Sequence, residues 1–357
     1  MGDVAGPAPV RISYKTLLDD PASVRAAIEA GLGSGPGALG LVVIGDLPPE
    51  FPAARERLFR LGAQFASLPE PEREECARPE TSYFFGWSHG KEVMNGKPDT
   101  AKGSFYANPL LDRPAVSDSQ RAAHPEYYAG NVWPANPPEL EPAFKALGKV
   151  VADVGLALAR ACDGFDLAAA AASTSSSDKI GIANLIAHSQ SNKARLLHYY
   201  PQAGGSDGAS DDACGVHLDH SILTGLCSAM YLDTASGAVV GPNAGAGLYI
   251  YPRGVSPRDG QAVKVSIPVD CLAFQTGEAV EILTDGRLRA TPHYVSAGQD
   301  GTGVSRETFA FFLQPDVDDV IGSDGETFGQ FTKRIIERHY GDENVGSSTI
   351  DHADALC

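Results

Sequence analysis

Residues 214–226 read CGVHLDHSILTGL, and within them His217, Asp219 and His220 place three possible metal ligands in four consecutive positions. Imidazole nitrogen and carboxylate oxygen suit a divalent first-row cation. Which of the three can converge depends on the backbone. On a strand, alternate side chains share a face, so His217 and Asp219 point together and His220 turns away. On a helix, residues three or four apart share a face, so His217 would join His220 or Ser221 and Asp219 would drop out. The Gly- and Asp-rich approach to this stretch, and the MYLD run that follows it, favour the strand.

Two ligands hold iron poorly, so a third has to come from elsewhere. Histidines also stand at 89, 124, 188, 198, 293, 339 and 352. His293 stands out because it ends the apolar run LRATPHYV. Two histidines and one carboxylate on one face leave positions open on an octahedral metal, the arrangement of non-haem Fe(II) oxygenases. An HxD tripeptide alone fits a surface loop equally well. Thirteen residues after His293, SRETFAFFLQP alternates Arg306 and Thr308 onto one face. A planar guanidinium fork beside a hydroxyl is a carboxylate clamp. In ARLLHYYP the same alternation pairs His198 with Tyr200, which could add donors to the same acid. Taken singly, Arg306 could be a surface ion pair and Tyr200 a core tyrosine. Their occurrence in this order argues for a site.

These residues need elements to position them. ASVRAAIEAGLGSG (22–35), PAARERLFRLGAQFASLP (52–69) and ELEPAFKALGKVVADVGLALARACDGF (139–165) have helical apolar spacing, the last with Phe144, Leu147, Val151, Val154 and Leu158 on one side. ALGLVVIGDLPP (38–49) predicts a buried strand. AAAAASTSSSDK (168–179) reads as a surface loop. Beyond it, short β-rich runs separated by Gly, Pro and Asp predict a barrel or sandwich beginning near residue 190. ILTDGRL predicts a hairpin turning at Asp285–Gly286, and FGQFTKRIIERHYG predicts a closing helix.

Composition narrows the function classes. With 43% hydrophobic and 20% charged residues, the chain can bury a sizeable core. A net charge of -17 without a basic run opposes nucleic-acid and anionic-membrane partners. No apolar run approaches a membrane span, and MGDVAGPAPVRISYK lacks the apolar core of a secretory signal. Six cysteines at irregular spacing predict reduced thiols in a cytoplasmic protein; a monomer is the default expectation.

The stretches LLHYYP, HLDHSILTGL, GLYIYP, IPVDCLAFQTGEAVEILTDGRLRATPHYV and SRETFAFFLQP occur in the order found in one family. With FASLPEPERE after an amphipathic helix, the chain resembles the isopenicillin N synthase-like 2-oxoglutarate/Fe(II)-dependent dioxygenases over roughly residues 10–340. The resemblance implies a mainly β fold with α: a double-stranded β-helix, or jelly roll, with an N-terminal helical extension and a C-terminal helix. It implies an extension over 1–185, a catalytic core over 186–320 and a tail over 321–357. His217, Asp219 and His293 would hold Fe(II). Arg306 and Thr308, helped by Tyr200, would bind the distal carboxylate of 2-oxoglutarate, with O2 as the further reactant. The implied reaction is hydroxylation, desaturation or ring closure of a small molecule, with release of succinate and CO2. A 2-oxoglutarate-independent oxidase of the isopenicillin N synthase type and a catalytically silent binding protein on the same fold are the alternatives.

The chain departs from the pattern at His198, where many members have Asn, and at Tyr294, where many have Arg. The segment between Asp219 and His293 is longer than usual, with GAVVGPNAGAG (237–247) as the insertion, either a lid or a surface loop. Candidate substrate contacts are the aromatic and polar residues of the N-terminal part: Tyr83, Phe85, Trp87, His89, Lys102, Phe105 and Tyr106. The same aromatics could simply pack the N-terminal region onto the barrel.

Overall fold

The computed structural model describes residues 8–91, 93–94, 97–165, 181–201, 212–258, 260–296 and 303–341. Its helices are α1 (Tyr14–Asp19), α2 (Arg25–Leu32), α3 (Phe51–Ala66), α4 (Glu70–Glu74), α5 (Asp118–Ala123), α6 (Pro125–Tyr128), α7 (Leu140–Cys162), α8 (Ile182–His188), α9 (Glu278–Leu283) and α10 (Phe328–Gly341). The first strands are β1 (Val10–Ser13), β2 (Leu41–Gly45), β3 (Gly86–His89), β4 (Val93–Met94), β5 (Lys97–Pro98), β6 (Lys102–Ala107), β7 (Lys193–Tyr199) and β8 (Asp212–His217). They are followed by β9 (Leu223–Cys227), β10 (Met230–Asp233), β11 (Val239–Val240), β12 (Gly247–Ile250), β13 (Val263–Val265), β14 (Leu272–Thr276), β15 (His293–Ser296) and β16 (Val304–Leu313).

Two sheets face each other across the site. The larger runs β1-β2-β14-β9-β16-β7-β6-β3, with β10 beside β16 and β11 beside β10. The smaller runs β13-β12-β15-β8. This is the jelly-roll arrangement, and the N-terminal segment does more than wrap it: β1, β2, β3 and β6 extend the larger sheet at both ends. β16 pairs with β9 as Ala310↔Leu226 and with β10 as Met230↔Glu307, a one-residue change of register. The extra residue is a bulge around Ser228 and Ala229. Their freed carbonyls accept hydrogen bonds from Arg55 Nε at 2.7 Å and Nη2 at 2.8 Å.

The apolar face of α7 that the spacing predicts is buried as a unit. Phe144, Leu147, Val151, Val154 and Leu158 have no exposed surface and join one core with Phe274, Phe309 and Phe311 of the larger sheet. Gly155 permits the close approach, since a Cβ there would lie 2.2 Å from Leu313 Cδ1. Burial on this scale, at about 25 cal/mol per Å² of apolar surface, holds the helices against the outer face of the sheet. Its inner face is left to the cavity.

The predicted hairpin over ILTDGRL is corrected. Residues Glu278–Leu283 form α9, which buries Ala279, Val280 and Leu283. Asp285 (φ 50°) and Gly286 (φ 72°) follow it in left-handed conformations, and they end a helix instead of joining two strands. The loop expected over 168–179 lies outside the described residues. The insertion at 237–247 contributes β11, which pairs with β10 as Tyr231↔Val240 and Leu232↔Val239. No helix among the described residues is long and apolar enough to cross a membrane. Cys76, Cys162, Cys227 and Cys271 are buried free thiols.

Candidate metal centre and active site

His217 ends β8 and lies opposite His293 at the start of β15. Their ring centroids are 4.3 Å apart. The strand stops at His217, so Asp219 stands in the loop beyond it, and alternation along a strand is not what aims it. The loop is fixed from behind: the Glu278 amide donates to the Asp219 carbonyl at 2.7 Å, and the Gly277 amide donates to Ile222. Asp219 Oδ1 then sits 3.7 Å from His217 Nε2 and 3.6 Å from His293 Nε2. One ligand atom from each of the three residues lies within 4.8 Å of the others.

Both rings present the correct nitrogen. His217 Nδ1 lies 2.7 Å from the Gly215 carbonyl and His293 Nδ1 lies 3.1 Å from the Thr291 carbonyl. A carbonyl only accepts, so each Nδ1 carries the proton and each Nε2 keeps its lone pair for a cation. The Gln275 side-chain amide also touches His293 Nδ1, with Nε2 at 2.6 Å. Half a turn of that amide exchanges its donor for its acceptor. Burial, with His217 adjoining, pushes His293 down to about 4, so it is a neutral ligand at neutral pH. Asp219 is 3% exposed. A buried carboxylate beside a neutral imidazole is costly without a cation, and the donor set fits a divalent metal.

His220 faces another way. Its Nε2 lies 3.5 Å from Glu278 Oε2 and its ring packs on Phe331. It belongs to a separate small pocket with Lys193 and Phe312.

The metal-ligand cluster opens on a cavity of about 740 Å³ between the two sheets, which Arg306 and Thr308 also line. Arg306 is 9% exposed, yet its buried Nε and Nη1 have no hydrogen-bond partner. An unmatched guanidinium in a cavity wall is a receptor for an anion.

Two of the expected co-substrate contacts are corrected. In the β16–β7 register Arg306 faces Tyr199, Glu307 faces His198 and Thr308 faces Leu197. Paired residues of an antiparallel ladder share a face, so Tyr199 and Leu197 accompany the clamp, and both line the cavity. His198 turns away into a buried hydrogen bond, with Nδ1 2.9 Å from Glu307 Oε1. The Tyr200 hydroxyl is engaged outside the cavity, accepting from Arg73 at 2.6 Å and donating to the Ala66 carbonyl at 3.1 Å.

Of the expected substrate contacts, Lys102 lines the cavity. The others do not. Trp87 and Phe105 pack edge-on against Phe65 at 5.2 and 5.4 Å. Phe85 lies under Lys193 Nζ at 4.0 Å. His89 Nε2 contacts the Thr100 carbonyl at 3.1 Å. Tyr106 lies under Arg195 and against Phe84, and Tyr83 lies under Lys91. Sequence reasoning missed Arg195 and Tyr199. Alternation in KARLLHY groups Lys193, Arg195, Leu197 and Tyr199 on one face of a strand that is buried throughout, but alternation alone does not say which face lines the cavity.

No family model matches the chain, and no curated protein matches it. Solved structures do. A protein of Caulobacter crescentus assigned to the 2OG-Fe(II) oxygenase family is 20% identical, with a TM-score of 0.64 over 93% of this chain and 99% of that one. The fold here is that of the 2OG-Fe(II) oxygenases. A Neurospora crassa protein, solved at full length with alpha-KG and 5-formyluracil, is 18% identical with a TM-score of 0.58, covering 89% of this chain and 88% of its own. JOX2, solved with 2OG, Fe and JA, is 14% identical with a TM-score of 0.61, covering 94% and 87%. At these identities the likeness is one of fold, so the chemistry has to be argued from the residues in the cavity.

Proposed function

We propose that the protein is a 2-oxoglutarate- and Fe(II)-dependent dioxygenase that oxidises a small molecule and releases succinate and CO2. The observation that carries this reading is the buried, unpartnered Arg306 guanidinium in the same cavity as the His217, Asp219 and His293 cluster. One feature asks for a divalent cation and the other for a carboxylate, and 2-oxoglutarate on Fe(II) answers both. The fold shared with proteins solved with alpha-KG, or with 2OG and Fe, supports it.

In this reading His217 Nε2, His293 Nε2 and the Asp219 carboxylate hold Fe(II). Arg306 and Thr308 take the distal carboxylate, and Tyr199 packs beneath Arg306, its ring centroid 4.8 Å from Cζ. Fe(II) with 2-oxoglutarate supplies the oxidising chemistry from O2. The chain supplies placement and dryness: Leu197, Leu226, Leu248, Val265 and Phe312 line the cavity with apolar surface that excludes water from the reacting centre. With its carboxylate ligand present, the site is assigned to hydroxylation, desaturation or ring closure.

Anaerobic calorimetry of 2-oxoglutarate into the Fe(II) protein tests the assignment. The parent binds with one site, and Arg306→Met weakens binding at least ~30-fold, from about 2 kcal/mol for truncating one partner of a buried charge pair. Equal binding in both proteins contradicts it.

A further inference from the structure

Two of the connections between the sheets line the cavity. The first leaves β11 of the larger sheet and enters β12 of the smaller one, and the second runs from β13 back to β14. Val239, Val240 and Pro242 line the cavity from the first side, and Ile267, Pro268 and Val269 from the second. Neither GAVVGPNAGAG (237–247) nor VSIPV (265–269) contains an ionisable residue. The first connection is tied at its start. Arg60 Nη1 on α3 donates to the Gly237 carbonyl at 2.9 Å, and the Gly237 amide donates to the Asp233 carbonyl at 2.7 Å. Asp233 Oδ1 accepts from the amide and the hydroxyl of Ser236 at 2.7 and 2.6 Å. β11 is thereby held against β10 as a fixed piece of wall.

Register sets the distance from this wall to the reacting groups. Val240 faces Tyr231, and Tyr231 faces Arg306; all three line the cavity. Val240 is two strands from the co-substrate clamp, or about 10 Å at roughly 4.8 Å per strand. On the other sheet the connection enters β12 at Gly247, three residues from Ile250, which faces His293. That is about 10 Å at roughly 3.3 Å per residue. The space between is not used by the co-substrate alone. A cavity of about 740 Å³ is in the size range of drug-sized ligands, far more than a five-carbon diacid fills.

The rim carries the second observation. Six large hydrophobics are exposed among the described residues, and two of them, Val239 at 54% and Val269 at 59%, line this one cavity. Exposed apolar side chains scattered singly are ordinary, whereas a group of them at a cavity marks a binding groove. A second copy of the chain is a poor occupant, because a net charge of -17 makes copies repel. The cavity's continuity with His217, Asp219 and His293 makes the reaction's own substrate the fitting one.

We infer that the substrate has an uncharged, apolar body seated between the 239–242 and 267–269 stretches, with Val239 and Val269 as the residues that select for it. The inference rests on the oxygenase reading, because it gives Arg306 to 2-oxoglutarate and leaves the rim to the substrate.

The probe is N-phenyl-1-naphthylamine, an uncharged apolar fluorophore. It is titrated into the Fe(II) protein without O2, with and without saturating 2-oxoglutarate. The dye binds saturably. Val239→Asp and Val269→Asp each weaken it about ten-fold or more, because an ionised group beside an apolar ligand has to shed water. Val239→Leu binds like the parent. So does Leu18→Asp, which puts the same charge on a residue equally exposed at 54% but away from the cavity. 2-Oxoglutarate affinity in these variants stays within about two-fold. The dye's proton resonances broaden in the Mn(II) protein and not in the Zn(II) protein, which places it near the metal. No saturable binding, binding that ignores both aspartates, or resonances alike with the two metals overturns the inference. So does a dimer that Val239→Asp dissolves, which gives the rim to a second copy. Loss of 2-oxoglutarate binding in the parent contradicts the oxygenase reading instead, and the dye titration without 2-oxoglutarate still reads the rim.

Discussion

At the scale of single residues, the cluster depends on which nitrogen of each imidazole carries the proton. Backbone carbonyls fix this for both rings, and Gln275 adds a side-chain contact at 2.6 Å to His293 Nδ1. With a cation on Nε2, the amide oxygen is the atom that must face Nδ1–H. Gln275→Leu therefore loosens metal binding by roughly 10–100-fold, the usual cost of losing an outer partner. Equilibrium titration with Fe(II) or Co(II) reads the loss, and unchanged affinity would show that the Thr291 carbonyl suffices. By the same measurement, His220→Ala binds metal like the parent and His293→Ala does not. Residue type singled out His217, Asp219 and His293, and alternation put Arg306 and Thr308 on one face of β16, but for Asp219 the strand argument does not hold, since it stands in a loop beyond β8. Tyr199 was not legible. Alternation says which residues of one strand share a face, but not which face meets the neighbouring strand. That phase is set by pairing over a hundred residues apart, Tyr199 with Arg306, and a one-residue error selects Tyr200 and His198.

At the scale of elements, α9 holds the loop that carries Asp219. Gly277 is required by close approach, since a Cβ there would lie 2.1 Å from the Ser221 carbonyl oxygen and 2.8 Å from that of Asp219. Gly277→Ala forces these apart, costing about 1–3 kcal/mol of stability as overpacking does and weakening metal binding. Urea unfolding and metal titration on the same variant check both, and a variant with parental stability and affinity would contradict this role. The misread hairpin has a local cause. AVEIL carries β-branched residues and DG is the strongest hairpin signal, yet Ala279, Val280 and Leu283 are spaced for a helical face. In a short apolar run the two periods compete, and tertiary packing chooses between them.

At the scale of the whole molecule, the larger sheet is shared between the N-terminal segment and the jelly-roll core, so the cavity wall is built from both. Composition and strand density predicted the β class, whereas the incorporation of β1, β2, β3 and β6 depends on long-range pairing that local pattern does not encode. Lys193 shows what this sharing costs. It is 5% exposed, and burial pushes its ammonium from 10.5 down to about 7, although the Phe85 ring at 4.0 Å favours the charged form. Between these values the unfolded chain binds more protons than the folded one. This group therefore makes stability rise as pH increases from about 7 towards 10.5. Lys193→Met removes the contribution, so its stability gain over the parent is greatest near pH 7 and shrinks towards pH 10. Urea unfolding of the two proteins across that range measures it, and parallel pH profiles would contradict it.

The central claim is that one cavity holds Fe(II) on His217, Asp219 and His293 and 2-oxoglutarate on Arg306. Succinate formed from 2-oxoglutarate, in the presence of Fe(II), ascorbate and O2, tests it most directly. Fe(II)-dependent succinate is expected from the parent, even without a substrate at a slow uncoupled rate, and is lost in both His217→Ala and Arg306→Ala. Oxygen consumption that ignores 2-oxoglutarate, iron binding that never yields succinate, or turnover unchanged in both variants would contradict it.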